Sequence, residues 1–163
     1  MKQKYRACWL LAATLLCCSY KLSSEPAISS APDFTLPDIK GRTVDLRNFG
    51  GQPVLIHFWA TWCKPCVKEM PEIEAAYQAL KDRGFIVLAI NTGDRIDKVR
   101  AFVESRHFTF PVLLDKRWEI AERYNIIGLP VSIFIAPDGR IRHEIQGGTL
   151  TAAAIADIVM KME

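Results

Sequence analysis

The stretch "PVLIHFW", residues 53–59, is apolar at every position except His57. A strand with no polar alternation presents apolar side chains to both of its faces, so both sides of its sheet must be covered. "FIVLAIN" (85–91) repeats the pattern. Between them, Val67, Met70, Ile73, Tyr77 and Leu80 recur every three or four residues, which predicts a helix from Cys63 to Arg83. Gly84 is placed to end it.

The same signals continue along the chain. Asp94 is expected to cap a helix running to Arg106 through Ile96, Val99, Phe102 and Val103. "FPVLLD" reads as a short strand, and Asp115 as the cap of a helix to Tyr124. "PVSIFIAPDGRIRHEI" reads as a hairpin turning at Pro137-Asp138-Gly139. Thr151 caps a last helix, with Leu150 and Ile155 in hydrophobic-staple positions. Upstream, "FTL" and "TVDL" alternate around "DIKGR", the pattern of a hairpin with a glycine turn. The order is therefore a β-hairpin followed by β-α-β-α-β-α-β-β-α. That order predicts an α/β fold: a central mixed sheet flanked by helices on both faces, with an added N-terminal hairpin.

Charge sets the first 24 residues apart. They hold Lys2, Lys4, Arg6 and Lys21 and none of the 18 acidic residues, although the whole chain carries +3. The remainder is close to neutral, which excludes a polycationic nucleic-acid surface. "MKQKYR" followed by "ACWLLAATLLCC" has the basic and apolar regions of a secretory signal, and the apolar part is shorter than a spanning helix. Residues 1–24 are expected to be a cleaved signal peptide, a lipoprotein signal with its lipid on Cys17 or Cys18, or an uncleaved anchor. Residues 25–31 read as a flexible tether, and 32–163 as one exported domain large enough for its own core. No heptad repeat or apolar stripe argues for oligomers, so a monomer touching the membrane only through its N-terminal segment is expected.

Three of the five cysteines, Cys8, Cys17 and Cys18, fall in that segment, which leaves Cys63 and Cys66 to the exported domain. A secreted domain stapled by disulfides carries more cysteines, spread more widely. Zinc needs a second cysteine pair or closely spaced histidines, and His57, His107 and His143 stand far apart. A static bridge between residues three apart removes little chain entropy. No cofactor or metal is implied beyond the cysteine pair itself.

The pair stands where a central strand meets a helix. Free N–H groups and the positive helix end favour a thiolate on Cys63, and Lys64 adds positive charge. Pro65 sits where a missing N–H costs little. Cys63, expected at an exposed tip, should attack a disulfide, and Cys66, one turn on, should resolve the mixed disulfide. Glu69 falls beside the apolar arc of the helix that holds Cys66. Burial there should raise its pKa and suit it to proton transfer, unless it is a surface glutamate that snorkels. Leu129 and Pro130, at the head of a strand, allow either an ordinary strand start or a cis bond turned toward the cysteines. Trp62 is expected to line the substrate face, Trp59 and His57 to be core, and Pro71 to kink the helix.

"FWATWCKPCVKEMP", "GLPVSIFIAPDG" and the opening "APDFTLPDIKGRTVDLRNFGGQPVLIHFWATWC" resemble the TlpA/ResA-like thiol-disulfide oxidoreductases of the redoxin superfamily, over residues 32–163. The resemblance implies a thioredoxin-like fold and an exported, membrane-tethered reductase of protein disulfides, periplasmic or on the outer face of the cytoplasmic membrane. Its substrates would include apocytochrome c cysteines, and its electrons would come from a membrane donor of the DsbD or CcdA type. It places the nucleophile on Cys63, the resolving cysteine on Cys66, the active-site glutamate on Glu69 and the cis-proline on Pro130. Here Lys64-Pro65 stands where Glu-Pro is common in ResA-like members, and Val131 follows Pro130 where the CcmG subgroup has glutamate. Three other functions remain distinct: a disulfide oxidant or isomerase, a peroxiredoxin-like peroxidase, and a non-catalytic redox-sensing module. Against the peroxidase, no proline precedes Cys63 in the Pro-x-x-x-Thr manner of peroxidatic sites.

Overall fold

A computed structural model describes residues 30–147 and 150–162. The expected export segment, with Cys8, Cys17 and Cys18, lies outside the described residues, as does most of the expected tether. The strands are β1 (Thr35–Pro37), β2 (Thr43–Asp45), β3 (Val54–Trp59), β4 (Ile86–Thr92), β5 (Val112–Asp115), β6 (Val131–Ile135) and β7 (Ile141–Gln146). The α-helices are α1 (Lys64–Leu80), α2 (Ile96–Arg106), α3 (Glu119–Arg123) and α4 (Ala152–Met160).

Strands β3 to β7 form one mixed sheet in the order β5-β4-β3-β6-β7. β3, β4 and β5 run parallel, while β6 pairs antiparallel with β3 and β7. β1 and β2 form the separate N-terminal hairpin. Isolated bridges tie this hairpin to the edge of the main sheet, through Asp38 and Leu113, and tie Ser30 to Arg140. Ser30 and Ala31, the end of the expected tether, are thus held against the β6–β7 turn.

The unbroken apolar run of β3 is divided between two cores. Leu55 and Trp59 pack with Met70, Ile73, Ala76 and Leu80 of α1, Val99 and Val103 of α2, and Ile155 and Val159 of α4. Val54, Ile56 and Phe58 face the other way, onto Phe34 and Leu36 of the N-terminal hairpin region and Ile120, Ala121 and Tyr124 around α3. Successive strand side chains point to opposite faces, so one apolar sequence seeds both cores.

α1 ends as expected. After Leu80 a 3-10 turn spans Lys81–Arg83, and Gly84 closes it at φ 89°, a conformation that costs glycine little. Thr151 caps α4 by accepting the Ala154 N–H at 3.2 Å. Leu150 and Ile155 are both buried. Asp115 does serve α3, but from below its first turn: its carboxylate accepts the N–H groups of Ile120 and Ala121 at 3.0 and 2.9 Å. The expectation for α2 needs correction. Its N-cap is Arg95, and the Asp94 side chain bonds elsewhere. Gly93 makes the bend that sets Asp94 apart. Its φ is +83°, and a Cβ there would come within 2.7 Å of Trp118 Nε1.

Candidate active site

Cys63 and Cys66 form a disulfide, with 5.3 Å between their Cα atoms. Cys63 is the N-cap of α1, and its Sγ accepts the backbone N–H of Cys66 at 3.3 Å. The sulfur therefore sits on the free N–H groups and the positive end of the helix, where a thiolate is stabilised. Pro65 lies in the first turn, so no helical hydrogen bond is lost there. Lys64 and Pro65 are exposed. Cys63 is not the exposed tip expected from the sequence. It is 5% exposed against 0% for Cys66, because in the disulfide both join the buried cluster of Trp59, Ala60 and Met70. Of the two, Cys63 is the more accessible.

Glu69, one turn beyond Cys66 on α1, is 2% exposed. That rules out a snorkelling surface side chain. Its Oε1 accepts the backbone N–H of Leu150 at 3.1 Å, tying α1 to the approach of α4. Burial raises its pKa, and the Leu150 bond offsets only part of that rise. Glu72 makes a parallel bond from the exposed side, accepting the Ala152 N–H at 2.9 Å.

The register Phe58↔Val131 brings Pro130 level with Trp59, at the end of β3 that leads to the cysteines. The Leu129–Pro130 bond is cis, which decides between the two states open to it in sequence. Pro130 is buried and its carbonyl accepts the Gly147 N–H at 2.9 Å, while Leu129 is half-buried. Trp62 is 61% exposed beside Cys63, and Trp59 is fully buried. Ile127, 95% exposed in the loop before Pro130, escaped the sequence reading because nothing local distinguishes it from the buried Ile126.

His57 lies wholly inside the sheet, with Nδ1 2.9 Å from Ser132 Oγ on β6. Burial pushes its pKa down to about 3, so it is neutral at ordinary pH. The expectation of a satisfied core histidine holds at one nitrogen only. Nε2 has no hydrogen-bond partner among the described residues, and neither does Trp59 Nε1. Pro71 is inside α1 as expected. Among the described residues no three His, Cys, Asp or Glu side chains gather into a metal-binding group. Nor is any helix among them long and apolar enough to cross a membrane.

What decides the family is the whole domain around this disulfide. The model of the AhpC/TSA family matches residues 28–144. The chain belongs to the AhpC/TSA family. Within it, the chain is 39% identical over 117 residues to thiol-disulfide oxidoreductase ResA of Bacillus thuringiensis subsp. konkukian (strain 97-27), covering 72% of this chain and 68% of that one. It is 35% identical over 129 residues to ResA of Bacillus subtilis (strain 168), covering 79% and 72%. The crystal structure of StoA from Bacillus subtilis superposes with a TM-score of 0.68 at 28% identity, over 78% of this chain and 96% of that one. The fold is thioredoxin-like, and the protein is a thiol-disulfide oxidoreductase of the ResA type. The residues matched take in the β1–β2 hairpin and the main sheet up to the middle of β7.

Proposed function

We propose that this protein is an exported reductase of protein disulfides, working by dithiol–disulfide exchange at Cys63 and Cys66. The observation that carries this is the stacking of three groups along the start of α1: Cys63 on the helix N-terminus, Cys66 buried beneath it, and Glu69 buried one turn further. Similarity to ResA relatives, named thiol-disulfide oxidoreductases, across the same residues supports the exchange chemistry.

In the reducing cycle the Cys63 thiolate attacks one sulfur of a substrate disulfide. A mixed disulfide forms, and the other substrate sulfur leaves as a thiolate that takes a proton from water. The Glu69 carboxylate then accepts the proton of the Cys66 thiol. Its raised pKa brings it closer to that of a thiol and improves the match. The Cys66 thiolate attacks Cys63 Sγ, closing the enzyme disulfide and releasing the second substrate sulfur. Substrate is reduced by two electrons and the enzyme is oxidised by two. A donor dithiol restores the enzyme by the same steps reversed.

Trp62, Lys64, Pro65, Leu129 and Pro130 surround the pair as the substrate face. Residues 1–24 carry the domain, 32–163, across the membrane and leave it free or tethered there. Apocytochrome c thiols are the proposed substrate class, and a DsbD- or CcdA-type membrane protein the proposed donor. One observation favours the opposite direction: the helix N-terminus stabilises the Cys63 thiolate, and with it the reduced form.

Trapping tests the cycle. In Cys66→Ser the mixed disulfide cannot be resolved, so a substrate protein should remain bonded to Cys63 and be released by dithiothreitol. Equal trapping by Cys63→Ser would overturn the assignment of the two sulfurs.

A further inference from the structure

The turn that delivers Cys63 to the helix is held from another strand. Ala60 to Cys63 form a tight turn, closed by a bond from the Cys63 N–H to the Ala60 carbonyl at 3.2 Å. Inside it, the Thr61 N–H donates to Asp94 Oδ2 at 2.7 Å, and the Thr61 hydroxyl donates to Asp94 Oδ1 at 3.1 Å. Asp94 also accepts from Asn91 Nδ2 at 3.1 Å and Lys98 Nζ at 3.2 Å. A second bond from the same strand end, Thr92 Oγ1 to the Trp59 carbonyl at 3.2 Å, pins the start of the segment. The Asp94 residue is 9% exposed. Burial pushes its pKa up, but bonds from the Thr61 N–H, Asn91, Lys98 and the Thr61 hydroxyl outweigh that and hold it below the usual carboxylate range. It is therefore an anion whenever the enzyme works.

We propose that Asp94 is a positioning residue of the thiol–disulfide exchange: its carboxylate anchors the Ala60–Cys63 turn so that Cys63 Sγ stays at the N-terminus of α1 when the disulfide opens. Closed, the disulfide itself keeps the sulfur in place. Open, Cys63 is a freely rotating N-cap, and its thiolate gains from the Cys66 N–H only if the turn beneath it is fixed. The two bonds to Thr61 supply that fixity from 33 residues away in sequence. A buried, charged acceptor suits this task because its bonds are stronger than neutral ones. Thr61 alone, an ordinary loop residue, has no such partner nearby in sequence.

This inference rests on Cys63 being the nucleophile, and the test separates the two. The full chain is reduced and alkylated with iodoacetamide across a range of pH, and modification of Cys63 is read by mass spectrometry of its peptide. Asp94→Ala should slow Cys63 alkylation at pH 7 about tenfold and move its midpoint up by about one pH unit, toward the free-thiol value of roughly 8.5. The sign is diagnostic. If Asp94 acted only as a nearby negative charge, removing it would favour the thiolate and lower the midpoint. If its role were only structural, the melting temperature would fall with the midpoint unmoved. Either result overturns the proposal. Asp94→Asn keeps one oxygen for the Thr61 N–H, so its rate at pH 7 should lie between wild type and Asp94→Ala.

Hydrogen exchange on the wild-type protein needs no variant to fold. The Thr61 amide should exchange at least about 100-fold more slowly than an unstructured amide in the dithiol state as well as the disulfide state. Free exchange in the dithiol state would refute the anchor. Should Cys63 in the wild-type chain react no faster than Cys66, it is the nucleophile assignment that fails.

Discussion

Replacing Glu69 by Gln separates proton transfer from architecture. The amide oxygen of Gln can still accept the Leu150 N–H that Glu69 Oε1 accepts at 3.1 Å, so the link between α1 and α4 survives. What disappears is an acceptor for the Cys66 proton. A positioned general base contributes roughly 10²- to 10⁴-fold, and Cys66 is wholly buried from bulk base, so a loss of about 100-fold in resolution of the mixed disulfide is expected near pH 7. The attack by Cys63 should be unchanged, because its thiolate depends on the helix N-terminus rather than on Glu69. The assay is stopped-flow mixing of reduced enzyme with a fluorescent disulfide peptide, with acid quench to count the mixed disulfide. The variant should accumulate that intermediate, and the deficit should shrink as rising pH ionises Cys66 without help. Stability gives an independent check. The pKa of Glu69 is raised in the folded state, so its contribution is full below the unfolded value, 4.5, and is lost as pH rises through the folded value. Glu69→Gln should therefore match wild type in acid and exceed it near neutrality. Resolution as fast as wild type at every pH would refute the proton-transfer role, leaving Glu69 as the carboxyl that joins α1 to Leu150.

Two further outcomes are expected. His57 is buried and neutral with a pKa pushed from 6.5 to about 3, so its contribution to stability is full above pH 6.5 and is lost as pH falls toward 3. On the order of 3 kcal/mol should be gone by pH 4, and urea titrations of His57→Asn, which has no group titrating there, should show a flatter acid limb. Gly93→Ala should lower stability by about 1–2 kcal/mol, because the positive φ is costly for any side chain and the new Cβ would meet Trp118 Nε1. A melting temperature equal to wild type would mean the β4–α2 bend is not fixed as described.

The sequence made the local physics legible. The run at 53–59 implied a doubly covered strand, and β3 is buried at all six of its positions. The three-to-four spacing after Cys63 implied an amphipathic helix, and of its expected inner residues Met70, Ile73 and Leu80 are buried in α1 while Val67 and Tyr77 are half-buried. Cys63 at a helix start and Glu69 on the flank of the apolar arc followed from the same periodicity. What was not legible depends on pairs distant in the chain. Asp94 stands one residue before the N-cap of α2, so its local signal is that of a helix cap. Only the parallel pairing of β3 with β4 brings it to Thr61 and makes it an anchor instead. The burial of Cys63 arises from a cluster in which the end of β3, the turn after it and α1 fold onto one another, an arrangement the helix periodicity alone does not reveal. The cis state of Leu129–Pro130 and the exposure of Ile127 were not legible either, because a strand-start proline fits both isomers and Ile127 carries no local mark that separates it from buried Ile126.

The reducing direction is tested most directly by the reduction potential of the Cys63–Cys66 pair, measured on the purified protein in glutathione and dithiothreitol buffers. A reductase fed by a membrane donor should give a value near or below that of thioredoxin, roughly −270 mV. A value above roughly −180 mV, where disulfide isomerase and stronger oxidants lie, would show that the thiolate stabilisation at the start of α1 dominates. The protein would then donate disulfides rather than remove them.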